Sequence, residues 1–201
     1  MSDLTMRRHG LEAFLATAGD ADAEDTAVHV SVRSDLGHIN LRGNPADKRF
    51  IAAAEDVIGQ PLPVVPNTLT VGSHHVFWLG PDEWLIMTAA DDVAELASRL
   101  NKATAGLHAA VNDVSGGQVA LSLKGHNTRE LLAKGCTLDL HASVFSAGCC
   151  AQSGLAKANI LLACLDDSQT FVIVVRRSFS DYLCRWLRRS SQASVIAFRE
   201  V

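Results

Sequence analysis

From residue 38 onward the apolar positions switch repeatedly between a two-residue and a 3.6-residue period, which predicts an ordered run of strands and helices. A strand over 38–41 leads to a helix over 45–58 that sets Phe50, Ile51, Ala54, Val57 and Ile58 on one face. Pro45 in the first turn and Gly59 after the last fit helix punctuation. Three of the five prolines fall in 60–68, a rigid extended connection. The runs 70–79 and 84–88 form a hairpin across Gly80-Pro81-Asp82-Glu83. A helix over 91–101 follows, with Val93, Leu96, Ala97 and Leu100 on one stripe, and a strand over 108–111 closes the unit.

The same order then returns. A strand over 118–123 precedes a helix over 127–134 and a loop containing Gly and Cys. A hairpin of 160–165 with 170–175 turns at Asp166-Asp167-Ser168. Ser178 is placed to cap a helix through Arg188 that carries Phe179, Tyr182, Leu183, Trp186 and Leu187, and a strand over 193–198 ends the chain. Both halves therefore read β-α-β-β-α-β. Leu41-Arg42-Gly43-Asn44 is echoed by Leu123-Lys124-Gly125-His126, and Trp84-Leu85-Ile86-Met87 by Phe171-Val172-Ile173-Val174. The predicted class is α+β: two tandem split βαβ halves, 37–112 and 113–201, packed as one pseudo-symmetric domain because each leaves one apolar sheet face in need of a cover. Residues 1–36 read as a lead-in outside this fold, with a short helix within 4–18 and an acidic, partly mobile stretch over 19–25.

Composition narrows the class of function. At 48% hydrophobic and 20% charged the chain is one that folds, and a net charge of -4 gives no basic field for a phosphate backbone, so nucleic acid is excluded as a partner. The charged N-terminus and the lack of a long apolar run predict a soluble cytoplasmic protein with no membrane partner. The odd count of five cysteines predicts reduced thiols, with Cys164 and Cys184 acting as small core hydrophobes.

Chemical motifs are mostly missing. The sequence holds no phosphate-binding loop, no G-x-G-x-x-G between strand and helix, no G-x-S-x-G elbow and no H-E-x-x-H. His74 and His75 are neighbours that point to opposite faces if they lie on a strand, which suits a solvated strand end better than a shared metal. Cys136, His141, Cys149 and Cys150 are the nearest approach to a zinc set, but adjacent thiols rarely share a metal in good geometry and C-x-x-C spacing is absent. Asp166 and Asp167 suit a hairpin tip. Arg176, Arg177, Arg185, Arg188 and Arg189 make the last helix basic, either as a solvated face or as a dock for an acidic partner. No catalytic, cofactor-binding or metal-binding residue is assigned.

The block Trp78-Leu-Gly-Pro-Asp-Glu-Trp-Leu85 places two of the three tryptophans around a turn, where both core and interface roles are open. Together with Asp113-Val114-Ser115, Leu131-Leu-Ala-Lys-Gly-Cys136, Leu138-Asp-Leu-His141, Cys150-Ala-Gln152 and Arg177-Ser-Phe-Ser-Asp-Tyr-Leu183, it resembles the gamma subunit family of heterotetrameric sarcosine oxidase over roughly 37–188. The resemblance implies a fold similar to the folate-binding aminomethyltransferase domains. It also implies a non-catalytic subunit that assembles with large alpha, flavin-carrying beta and small delta subunits, the complex using FAD, FMN, NAD, tetrahydrofolate and zinc on those other chains. Aminomethyltransferases carry paired aspartates near the folate, whereas the matching 152–162 here has no carboxylate to serve as general base. Alternatives are the small subunit of a related complex such as N-methylglutamate dehydrogenase, or a free-standing folate-binding or one-carbon transferase-like protein. The expected subunit interface is an apolar patch near the hairpin and the last helix, with Trp78, Pro81, Asp82, Trp84, Arg177 and Phe179 as its candidate residues.

Overall fold

Strands with apolar side chains on both faces need a cover on both, and the chain supplies it in four layers. The computed structural model describes residues 10–18, 26–191 and 195–201. Along the chain run α1 (Glu12–Ala18), β1 (Thr26–Val32), β2 (Leu36–Gly43), α2 (Lys48–Ile58), β3 (Leu69–Val71), β4 (His75–Gly80), β5 (Glu83–Ala89), α3 (Val93–Ala103) and β6 (Ala109–Asp113). There follow β7 (Gln118–Lys124), α4 (Thr128–Ala133), β8 (Cys150–Leu155), β9 (Ala158–Cys164), β10 (Phe171–Arg176), α5 (Arg177–Ser190) and β11 (Val195–Glu200).

The first half forms a five-stranded sheet in the order β3-β4-β5-β2-β6, and the six-stranded sheet runs β8-β9-β10-β7-β1-β11. Each element of the first half thus has its counterpart in the second, in the same spatial order, with β1 inserted between β7 and β11. The insertion preserves direction: β1 pairs antiparallel with β7 and parallel with β11, so β11 still runs opposite to β7 as β6 does to β2. Alternation along β5 and β10 builds the layers. Leu85 and Met87 meet Val172 and Val174 between the sheets. Trp84 and Ile86 face α2 and α3, while Phe171, Ile173 and Val175 face α4 and α5.

Four expectations need correction. First, 26–36 is no lead-in: β1 is interior to its sheet, with Val28, Val30 and Val32 fully buried. The described part of α1 also joins the fold, Phe14 lying edge-on to Phe198 at 4.9 Å between ring centres. Residues 4–9 of the expected helix and the acidic 19–25 lie outside the described residues. Second, each half has one strand more than expected, β3 and β8. The run 70–79 breaks at Gly72-Ser73-His74, where the Gln60 amide donates to the His74 carbonyl (3.0 Å) and accepts from its N–H (3.2 Å). Third, Pro45 sits in an Asn44 turn, the Asn44 side chain accepting from Ala46 N–H, and α2 starts after its cap Asp47. Gly59 ends that helix in the left-handed conformation, as its position predicts. Fourth, α5 begins at Arg177, so Ser178 lies within the first turn and does not cap it.

The sequence echo at the ends of β2 and β7 has a steric reason at both copies. A Cβ on Gly43 would lie 2.2 Å from the Phe50 ring, and one on Gly125 2.2 Å from the Ala27 carbonyl, with φ +131° besides.

Candidate functional site

The hairpin of β4 and β5 is held along the β5 side by β2, its neighbour in the sheet. Gly43 N–H donates to the Asp82 carbonyl (3.0 Å), Arg42 pairs with the Asp82 carboxylate (3.1 Å), and Asn40 donates to Glu83 (2.8 Å). The two sequence blocks, Leu41-Arg42-Gly43 and the Trp-flanked turn, are thereby one structural unit. Trp78 and Trp84 are cross-strand partners with different fates. Trp84 is fully buried under α2 at 5.7 Å from Phe50, and its indole N–H donates to the Pro63 carbonyl at 2.7 Å. Trp78 is half-buried, and Pro81 and Asp82 stand exposed at the turn.

Arg177 and Phe179 belong to the outer helical layer instead. Phe179 is 41% exposed and lies edge-on to Tyr182, while Arg177 is exposed. The hairpin belongs to the five-stranded sheet and α5 covers the far face of the six-stranded one, so the candidate residues occupy different layers. On the basic helix, Arg185 pairs with Asp181 (2.8 Å), and Arg185 and Arg188 both lie over the Phe14 ring. Together with Arg189 these side chains line a cavity of about 250 Å³.

The remaining polar candidates do not converge. His74 lies in the turn before β4, bonded to Thr88 Oγ1 at 2.9 Å, and burial lowers the pKa of both His74 and His75. Cys150 is buried with its sulfur against the Thr68 carbonyl (3.1 Å), and desolvation pushes its thiol up to about 12, far from a reactive thiolate. Cys136 contacts Ser153, Cys149 contacts Ser146, and His141 bonds Ser143. Among the described residues no three His, Cys, Asp or Glu side chains gather as a metal set. Asp166 ties its own turn, accepting from Ser168 Oγ (2.7 Å) and Thr170 N–H (2.9 Å).

Two features escape sequence reading. Arg129 stacks its guanidinium over Phe171 at 4.9 Å while donating to Gln169 and to the Leu140 carbonyl, which pins the long 134–149 loop onto the sheet. Nothing in a helix-surface Arg announces that role. His38 is the other: it is buried with neither ring nitrogen hydrogen-bonded, and desolvation, only partly opposed by the Asp113 charge, lowers its pKa to about 4. Beside it the Asp113-Val114-Ser115 block forms a knot between the halves. Ser115 Oγ donates to Asp113 and accepts from His38 N–H at 2.9 Å, so this block serves the joint between halves.

Among the described residues these polar side chains pair locally and do not gather into one site. The model of the sarcosine oxidase, gamma subunit family matches residues 42–193. The chain is similar to sarcosine oxidase subunit gamma of Corynebacterium sp. strain P-1, at 33% identity over 150 residues that span 74% of this chain and 72% of the relative. Its counterpart from strain U-96 is 31% identical over 190 residues, 93% of this chain and 91% of that one. Among solved structures, a chain of heterotetrameric sarcosine oxidase from Corynebacterium sp. U-96, in complex with pyrrole 2-carboxylate, superposes with a TM-score of 0.78 at 27% identity, covering 90% of this chain and 91% of that one. Aminomethyltransferase T of the glycine cleavage system from Bartonella henselae superposes at 0.63 with 13% identity, over 87% of this chain and 48% of that one, a likeness of fold alone. By family model, sequence relatives and superposition together, the chain belongs to the sarcosine oxidase gamma subunit family.

Proposed function

We propose that this chain is the non-catalytic gamma subunit of a heterotetrameric sarcosine oxidase. Such a complex demethylates sarcosine oxidatively to glycine, passes the one-carbon unit to tetrahydrofolate and forms hydrogen peroxide. The observation that carries the reading is the superposition on a chain of a heterotetrameric sarcosine oxidase along nine-tenths of both chains, so that most of the fold has a counterpart in an assembly subunit. The relatives named above are sarcosine oxidase subunits, which favours this assignment over a related N-methyl amino acid dehydrogenase.

In this reading FAD, FMN, NAD, tetrahydrofolate and zinc belong to the alpha, beta and delta subunits, and the chain supports assembly and the shape of the active-site cavity. Trp78, Pro81 and Asp82 on the hairpin and Arg177 and Phe179 on α5 are the proposed contacts. Trp84 leaves that set, because a side chain without accessible surface has nothing to offer a partner. Five unpaired cysteines suit a reducing compartment, the cytoplasm. The test is reconstitution: the purified chain should be colourless and inactive toward sarcosine, and sarcosine-dependent peroxide formation by co-expressed alpha, beta and delta subunits should fall when its gene is left out. Flavin absorbance or sarcosine turnover in the isolated chain would overturn the assignment.

A further inference from the structure

Two stretches of the chain, 57–81 with 25 residues and 140–156 with 17, contain no Asp, Glu, Lys or Arg. At 20% charged overall, stretches of this combined length would carry about eight charges if charge were spread evenly. Although far apart in sequence, they are stitched together in space. Cys150 N–H donates to the Asn67 carbonyl (2.8 Å) and Leu69 N–H to the Gly148 carbonyl (3.0 Å), with a bridge between Thr68 and Cys149. Gln152 donates to the Leu79 carbonyl at 2.8 Å. The result is a seam that joins the β3 edge of one sheet to the β8 edge of the other.

Burial alone does not explain the missing charge, because much of the seam faces water. Val64 is 58% exposed, Val65 60% and Val144 57%, with Pro66, Asn67, Ala142 and Ser143 exposed among them. A short relay of contacts links Val65 to Val144: the Val65 carbonyl accepts from Thr68, Thr68 bridges Cys149, and the Cys149 sulfur contacts the Val144 carbonyl. Exposed large apolar side chains on stretches that carry no charge are the composition of the centre of an interface, whose rim is polar.

We propose that this charge-free seam is the face by which the chain docks onto another subunit of its complex, and that the partner surface is itself apolar and uncharged. The proposal rests on the subunit reading above and adds to it the site and the chemistry of the partner. A charged partner would lose hydration here with no opposite charge on either stretch to receive it, whereas an apolar one strands nothing. The backbone donors that stitch the seam are already used, so docking proceeds through side chains on a preformed surface and not by strand addition.

The experiment co-expresses the tagged full-length chain with the alpha, beta and delta subunits and measures their recovery on the tag. The double variant Val65→Asp, Val144→Asp should melt as wild type when isolated and recover at least tenfold less of the other subunits, while Val201→Asp, on an exposed residue at the end of the chain, recovers them fully. Should the double variant fold poorly, Val65→Cys gives a second readout: a maleimide should label that thiol in the isolated chain and at least tenfold more slowly in the complex. Wild-type recovery by the double variant, or equal labelling of Val65→Cys in both states, overturns the proposal and leaves the subunit reading standing. No recovery by the wild-type chain overturns both. A dimer of the isolated chain that the double variant converts to monomer gives the seam to a second copy and also overturns it.

Discussion

An indole without accessible surface, whose N–H is already bonded to the Pro63 carbonyl, contributes through packing. Trp84→Ala should therefore destabilise the isolated chain by on the order of 3 to 5 kcal/mol, read from denaturant midpoints, with loss of assembly only as a consequence of unfolding. A variant that melts as wild type yet fails to assemble would return Trp84 to the interface. His38 acts through pH. Its pKa falls from 6.5 in the unfolded chain to about 4 in the folded one, so between those values the unfolded state binds more protons and stability rises with pH. The contribution is complete above about pH 6.5, is lost as pH falls toward 4, and amounts to about 3 kcal/mol across that window. Denaturation at pH 7 and at pH 4.5 should show a smaller loss for His38→Leu than for wild type; an equal loss in both would mean the buried imidazole does not titrate there.

At the scale of elements, β1 decides more than its position suggests. It separates β7 from β11, pairs with both and buries three valines, so a chain beginning at Arg33 would expose the flanks of two strands and open one of the core clusters. That truncation should abolish cooperative unfolding; a truncated chain that still melts in one transition near the wild-type temperature would make residues 26–32 dispensable. The strand was legible in principle, since Thr26-Ala-Val-His-Val-Ser-Val32 alternates at period two, but it follows an acidic run and has no counterpart in the first half. The internal repeat, the hairpins and the amphipathic α2, α3 and α5 follow from local periodicity, and the structure has them. β3 and β8 do not, because a three-residue strand and the Gly-containing Cys150–Leu155 owe their extended form to partners across the sheet and along the seam. The candidate site was legible to the same extent. The sequence located the Trp-flanked turn, but only burial in three dimensions separates Trp84 from Trp78, and only tertiary contacts reveal what Arg129 and His38 face.

At the scale of the molecule, two related halves place their sheets face to face and their helices outside. The hairpin tip adjoins the uncharged seam, Gln152 reaching the Leu79 carbonyl, whereas the basic α5 covers the outer face of the six-stranded sheet. The most direct test is native mass spectrometry of the complex purified after co-expression with the alpha, beta and delta subunits. A single particle with one copy of each of the four chains, stripped of this chain only under conditions that disrupt the complex, is the predicted result. A stable three-chain sarcosine oxidase with this protein found only by itself would contradict the account.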